Sequence, residues 1–153
     1  MNRPLGSREY EQLVEKLINK LANWPGVEGI FAGPGNHIHG ASGQPHQIDV
    51  SITTETDLIL LECKELNRAV ELAHSLIFAA RLDDIRKANL GKNVTGSIVS
   101  TKTAAEGVHR IAAAYNFNVD IVASEEEYVV SITNRHFVGL KASAVFSDSC
   151  SWQ

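Results

Sequence analysis

Apolar and polar positions along the chain divide it into segments of distinct period. From residue 7 to 23, Tyr10, Leu13, Val14, Leu17, Ile18 and Leu21 recur at i, i+3, i+4 and i+7, the stripe of an amphipathic helix. Ser7 is placed to cap it, and Pro25-Gly26 to stop it. Residues 27–32 read as a short strand, and residues 33–45, rich in Gly, Pro, Asn and His, as an exposed connection. Residues 47–53 alternate, with Ile48, Val50 and Ile52 on one face and Gln47, Asp49, Ser51 and Thr53 on the other. Leu58, Ile59, Leu60 and Leu61 form a continuous aliphatic run, the mark of a strand covered on both sides, and it ends in Glu62-Cys63-Lys64.

Residues 69–89 read as a long helix carried by Leu72, Ala73, Leu76, Ile77 and Ala80, with a phase shift near Asp83-Asp84. A strand over 95–101 follows. Thr103 and Glu106 then have the spacing of a capping box for a helix over 104–115. Another strand is expected at 119–123, and Glu125-Glu126-Glu127 as a solvated loop or helix start. The β-branched runs at 128–133 and 137–146, joined by Asn134-Arg135, predict a C-terminal β-hairpin. The fold class is therefore α/β or α+β, a mixed sheet flanked by helices with that hairpin added. No internal repeat or low-complexity segment appears.

Composition narrows the picture. The 153 residues suit a single domain over 1–153, with a core at about 8–123, the hairpin extension at 125–146 and a tail at 147–153. Hydrophobic residues at 44% and charged ones at 21% are those of a folded globular chain. No basic-apolar leader and no apolar run of about 20 residues are seen, so a soluble, cytoplasmic protein without membrane contact is expected. Two cysteines, Cys63 and Cys150, do not make a disulfide framework and agree with a reducing compartment. A net charge of −4 argues against a broad basic face for nucleic acid, though a carboxylate-lined metal site adds negative charge of its own.

The candidate chemistry lies at the end of the aliphatic strand. Residues two apart on a strand share a face, so Glu62 and Lys64 project together and Cys63 oppositely. If the preceding strand pairs with this one, Asp49 lies beside Glu62. Two adjacent carboxylates suit a hard cation such as Mg²⁺ or Mn²⁺, which lowers the pKa of a bound water, with Lys64 placed to hold the water or stabilise a phosphoryl transition state. The bland alternative is a Glu62–Lys64 ion pair at a strand end and an ordinary exposed Asp49.

The order of elements and the halves Ile48-Asp49-Val50 and Leu61-Glu62-Cys63-Lys64 resemble the PD-(D/E)xK nuclease superfamily of restriction-endonuclease-like fold, and within it Mrr-like domains. Tyr10-Glu11 is similar to an aromatic-Glu pair of that group, residues 96–103 before an Ala-rich helix to its later strand-helix unit, and 118–122 to its closing strand. The resemblance covers about residues 8–123. It implies Asp49, Glu62 and the Cys63 backbone carbonyl as ligands of Mg²⁺ or Mn²⁺, Lys64 as the catalytic lysine, and Glu11 as a further ligand or else a solvated surface glutamate. The activity implied is metal-dependent endonucleolytic hydrolysis of DNA, with a junction-resolving or repair nuclease and a non-catalytic binding module as alternatives. Many Mrr-like domains carry a separate DNA-recognition domain, which this sequence lacks, so a separate recognition partner is considered. A homodimer is also expected, with the C-terminal hairpin as its candidate interface.

Three further groups enter as candidates. Ser100, Thr101, Lys102 and Thr103 put hydroxyls, a charge and free N–H groups at a helix start, suited to a DNA phosphate or simply a well-capped helix with an exposed lysine. Arg81, Arg86, Lys87 and Lys92 form a basic group that either tracks nucleic acid or pairs with Asp83 and Asp84 on a helix surface. His37, His39 and His46 with Cys63 raise zinc, against solvent-exposed histidines or substrate contacts in a loop.

Overall fold

The computed structural model describes residues 7–63 and 69–137. Helix α1 (Ser7–Leu21) leads into strand β1 (Val27–Ala32), a two-stranded ribbon of β2 (His37–His39) and β3 (Pro45–Gln47), then β4 (Val50–Thr54) and β5 (Asp57–Cys63). Helix α2 (Leu72–Ala88), β6 (Asn93–Ser100), α3 (Glu106–Tyr115), β7 (Asn118–Ile121) and α4 (Glu125–His136) complete it. The five main strands form one sheet in the order β1-β4-β5-β6-β7. Neighbours are antiparallel from β1 to β5 and parallel from β5 to β7, so the sheet is mixed, as its α/β order requires.

Two hydrophobic layers sandwich the sheet, and alternation along β5 feeds both. Ile59 and Leu61 face one layer with Val50, Ile52, Val99 and residues of α1 and α4. Leu58 and Leu60 face the other with Val94, Ile98 and residues of α2 and α3. The aliphatic run at 58–61 is thus covered on both sides, as its composition predicts.

The buried face of α2 differs from the expected one. Ser75, Phe78, Ala79, Leu82 and Ile85 point inward, whereas Leu72, Leu76 and Ile77 are about half exposed. Apolar residues lie on both sides of this helix, so periodicity alone does not select the inner one. Gly96 of β6 allows the close approach of α2, because a Cβ there would meet Phe78 at 2.8 Å and Leu82 at 2.9 Å.

The C-terminal hairpin is overturned over residues 125–136, which form α4. Tyr128, Val129, Ile132 and Thr133 are buried and Val130 is exposed, a helical spacing that packing against α1 selects over the β preference of Val and Ile. The cue was Ser124-x-x-Glu127: the Ser124 hydroxyl accepts from the Glu127 N–H at 3.2 Å, and the Glu127 carboxylate accepts from the Ala123 N–H at 2.7 Å. The second predicted strand, from residue 138 onward, and the tail lie outside the described residues. The capping box at Thr103 and Glu106 is also absent: α3 starts at Glu106, its cap is Ala105 without a side-chain bond, and Glu106 pairs with Arg110 instead. Among the described residues no helix is long and apolar enough to cross a membrane.

Gly96→Ala is expected to lower stability by about 1–3 kcal/mol through overpacking against Phe78 and Leu82. Urea unfolding measures this, and an unchanged midpoint would refute the close helix-sheet contact.

Candidate active site

One end of the sheet gathers the carboxyl ends of β1, β5, β6 and β7 and the start of β4. In sheets with parallel strands this is the end where ligands bind. Val50 with Leu61 is the last pair of the β4–β5 ladder, and Asp49 and Glu62 are the residues next to its outer end. The Asp49 carboxylate accepts a hydrogen bond from the Cys63 N–H at 2.8 Å. Spacing suggests that Asp49 lies beside Glu62; the contact the structure shows is between Asp49 and the backbone of Cys63, the residue after Glu62.

Asp49 is not within a continuous strand over 47–53. The chain bends at Asp49, between β3 and β4. Ile48 packs with α2 and α3, whereas Val50 packs with α1 and α4. In a regular strand these two would share a face. Asn36, not singled out from sequence, ties the bend. Its side-chain amide donates to the Ile48 carbonyl at 3.0 Å and lies within 3.2 Å of the Ser51 hydroxyl and 3.3 Å of the Phe31 carbonyl. Its own carbonyl accepts from the Ile48 N–H at 3.0 Å. An Asn in a Gly-rich stretch was the signal, but its partners are 5 to 15 residues away.

Glu62 is 7% exposed and faces the α2 layer, opposite Cys63, which packs on the α1 and α4 side. Arg81 of α2 approaches it, Nη1 to Oε2, at 3.5 Å. Lys64, expected on the face of Glu62, lies outside the described residues. Glu11 lines an open groove of about 380 Å³ with Val14, Glu15, Ile18, Asn19, Ala32 and Gly33. Gly33 follows Ala32, the partner of Val50, so the groove adjoins the strand end that carries Asp49. Ser100 is buried at the end of β6, its hydroxyl accepting from the Lys102 N–H at 3.1 Å, while Lys102 and Thr103 are exposed beside the same sheet end.

The expected connection over 33–45 contains part of the β2–β3 ribbon, and its histidines diverge. His37 and His39 are exposed on one face, whereas His46 turns to α2, where Nε2 lies 2.7 Å from Asp84 Oδ2. Among the described residues no three His, Cys, Asp or Glu side chains converge as metal ligands, so a zinc cluster of these histidines with Cys63 does not form. Asp84 instead fastens the ribbon tip. It accepts from the Ser42 hydroxyl at 2.6 Å and the Ser42 N–H at 2.9 Å, and a side chain at Gly40 would overlap its carboxylate. These bonds, Ser42's hydroxyl first and His46 next, hold Asp84 down from 3.8 to about 2.

The basic group at 81–92 does not act as one surface. Arg86 donates to the carbonyls of Val94, Tyr115 and Asn116 and closes the end of α3. Lys87 pairs with Asp83 at 2.8 Å, and Lys92 donates to the Thr54 carbonyl at 2.8 Å. Arg81 alone of the four reaches the candidate site.

No family model and no curated protein matches the chain. Solved structures share its fold at low identity. A protein of unknown function, AF1548, is 19% identical with a TM-score of 0.54, over 72% of this chain and 56% of that one. Protein VC1899 from Vibrio cholerae is 12% identical with a TM-score of 0.55, over 84% of this chain and 32% of that one. A repair endonuclease from Pyrococcus abyssi is 17% identical with a TM-score of 0.49, over 81% and 50%. The chain thus spans 32% to 56% of these proteins. At these identities the likeness is one of fold, carried by the first two.

Asn36→Ala should cost about 1–3 kcal/mol, the range for leaving buried carbonyls unsatisfied, and should speed hydrogen exchange at the Cys63 amide. Unchanged exchange would mean that the bend holds Asp49 without Asn36. For Asp84 the lowered pKa places its contribution above pH about 3.8, lost as pH falls through about 2. Urea midpoints followed down to that pH should decline in this window, and Asp84→Asn should flatten the decline.

Proposed function

We propose that this chain is a metal-dependent endonuclease that hydrolyses DNA phosphodiester bonds, built as a PD-(D/E)xK site of the Mrr-like kind. The observation that carries the reading is the meeting of Asp49 with the end of β5, its carboxylate bound to the Cys63 N–H beside the buried Glu62. A buried carboxylate next to a second one is costly unless cations compensate it, and a strand end open to solvent admits one.

The donor set fits a hard divalent cation. Asp49, just before β4, and Glu62, in β5, would supply carboxylate oxygens, and Cys63, the last residue of β5, a backbone carbonyl. Magnesium takes oxygen donors and needs only one or two carboxylates when water and substrate phosphate complete its shell. When bound, such an ion supplies an acidified water and neutralises charge on the phosphoryl oxygens. Asp49, held by a backbone N–H, would keep one donor in place without side-chain rearrangement. Lys64, which follows Cys63 in sequence, is assigned the stabilisation of the attacking water or the leaving charge. Glu11 lines the groove beside the same sheet end but does not converge with Asp49 and Glu62, so its part as a further ligand is the weakest assignment, and Ser100 to Thr103 are the candidates for a DNA phosphate contact. Cutting both strands takes two sites, so a homodimer is the proposed working form, with a separate protein supplying sequence recognition.

Purified protein with Mg²⁺ or Mn²⁺ should cut supercoiled plasmid, linear duplex or branched DNA, and chelation of the metal should stop it. Asp49→Asn and Lys64→Ala should each lower the rate by on the order of 10²-fold or more. Preference for branched over linear duplex would move the reading to junction resolution. No cleavage of any of the three, with no metal binding by calorimetry, would leave a binding module on this fold.

A further inference from the structure

The arginines of this protein are held in different ways. Arg135 of α4 grips Asp120 with two bonds, at 2.6 and 2.9 Å, and Asp120 is 8% exposed. Arg86 donates to three backbone carbonyls at 2.6 to 3.1 Å. Both guanidiniums are locked by the fork geometry that suits arginine to fixed roles. Arg81 is different: one nitrogen lies 3.5 Å from Glu62 Oε2, beyond a good hydrogen bond, and a third of the side chain is open to solvent. Among the described residues no hydrogen bond holds its other nitrogens, so one end of the guanidinium lies against Glu62 while the side chain stays partly open to solvent.

A cation entering beside Glu62 and Asp49 would meet that guanidinium as a like charge on the same carboxylate. Arg81 stands on α2, one turn before Asp84, and its long side chain can turn outward while the helix stays packed through Leu82 and Ile85. On the nuclease reading a substrate phosphate reaches this site from solvent, and a guanidinium matches phosphate oxygens in pairs. We infer that Arg81 is an exchangeable counter-ion: it holds Glu62 in the metal-free protein, yields it to the metal, and then positions a phosphate of the DNA strand being cut. The inference rests on the nuclease reading and adds to it a coupling between metal and substrate through one side chain.

Calorimetric titration with Mg²⁺ of the wild type, Arg81→Gln, Arg81→Lys and Asp49→Asn, in the absence of DNA, separates the possibilities. Arg81→Gln should bind Mg²⁺ more tightly than the wild type, on the order of three- to tenfold, because the competing charge is gone. Arg81→Lys, which keeps the charge, should bind it like the wild type. In cleavage assays both variants should show a raised KM for DNA, because neither presents the planar fork. A Mg²⁺ affinity of Arg81→Gln equal to or weaker than that of the wild type would overturn the inference and make Arg81 a fixed structural partner. A wild type that binds Mg²⁺ no better than Asp49→Asn would instead sink the proposed function, and the inference with it.

Discussion

The hydrogen bond from the Cys63 N–H to the Asp49 carboxylate organises this end of the molecule. A strand that ran straight from β3 into β4 would put Ile48, Val50 and Ile52 in one layer and spend the Asp49 backbone on the ladder. The chain instead bends at Asp49, Ile48 enters the α2 layer, and the β2–β3 ribbon is carried outside the main sheet. A backbone donor that would otherwise end the β5 ladder is satisfied by a side chain, and in return it fixes the direction of a carboxylate. Asn36 makes the bend tenable by bonding the carbonyl that the break exposes.

Helix α2 is the second organiser. Its inner face packs on Gly96 and the β6 side of the sheet. On its flank, within one turn, it offers Arg81 to Glu62 and Asp84 to the ribbon tip. Two charged contacts of opposite sign thus bracket the candidate site from one rigid element, which sets the ribbon and the buried carboxylate in a common frame.

How much of this was legible depended on range. The aliphatic run at 58–61 identifies itself by composition, whereas the alternation read over 47–53 holds only from Val50 onward, because the chain bends at Asp49. The α2 face was misread because Leu72, Leu76 and Ile77 are as apolar as the residues that are buried, and only the position of Gly96 decides between them. At 128–133 the β-branched run points to a strand, yet the surface offered by α1 makes it a helix capped by Ser124. Arg81 with Glu62, Asp84 with Ser42 and His46, and Asn36 with Ser51 are contacts between distant segments, and nothing in local period announces them.

The strand β5 divides its side chains between two layers that do not resemble each other. Ile59, Leu61 and Cys63 belong to one, and Leu58, Leu60 and Glu62 to the other. Loss or gain of a single residue within it would exchange the two sets, sending Glu62 under α1 and α4 and away from Arg81. Because its residues are buried on both faces, the strand tolerates volume-conserving substitutions better than an insertion or deletion. β5 thus serves as the fixed ruler against which every other part of the candidate site is measured.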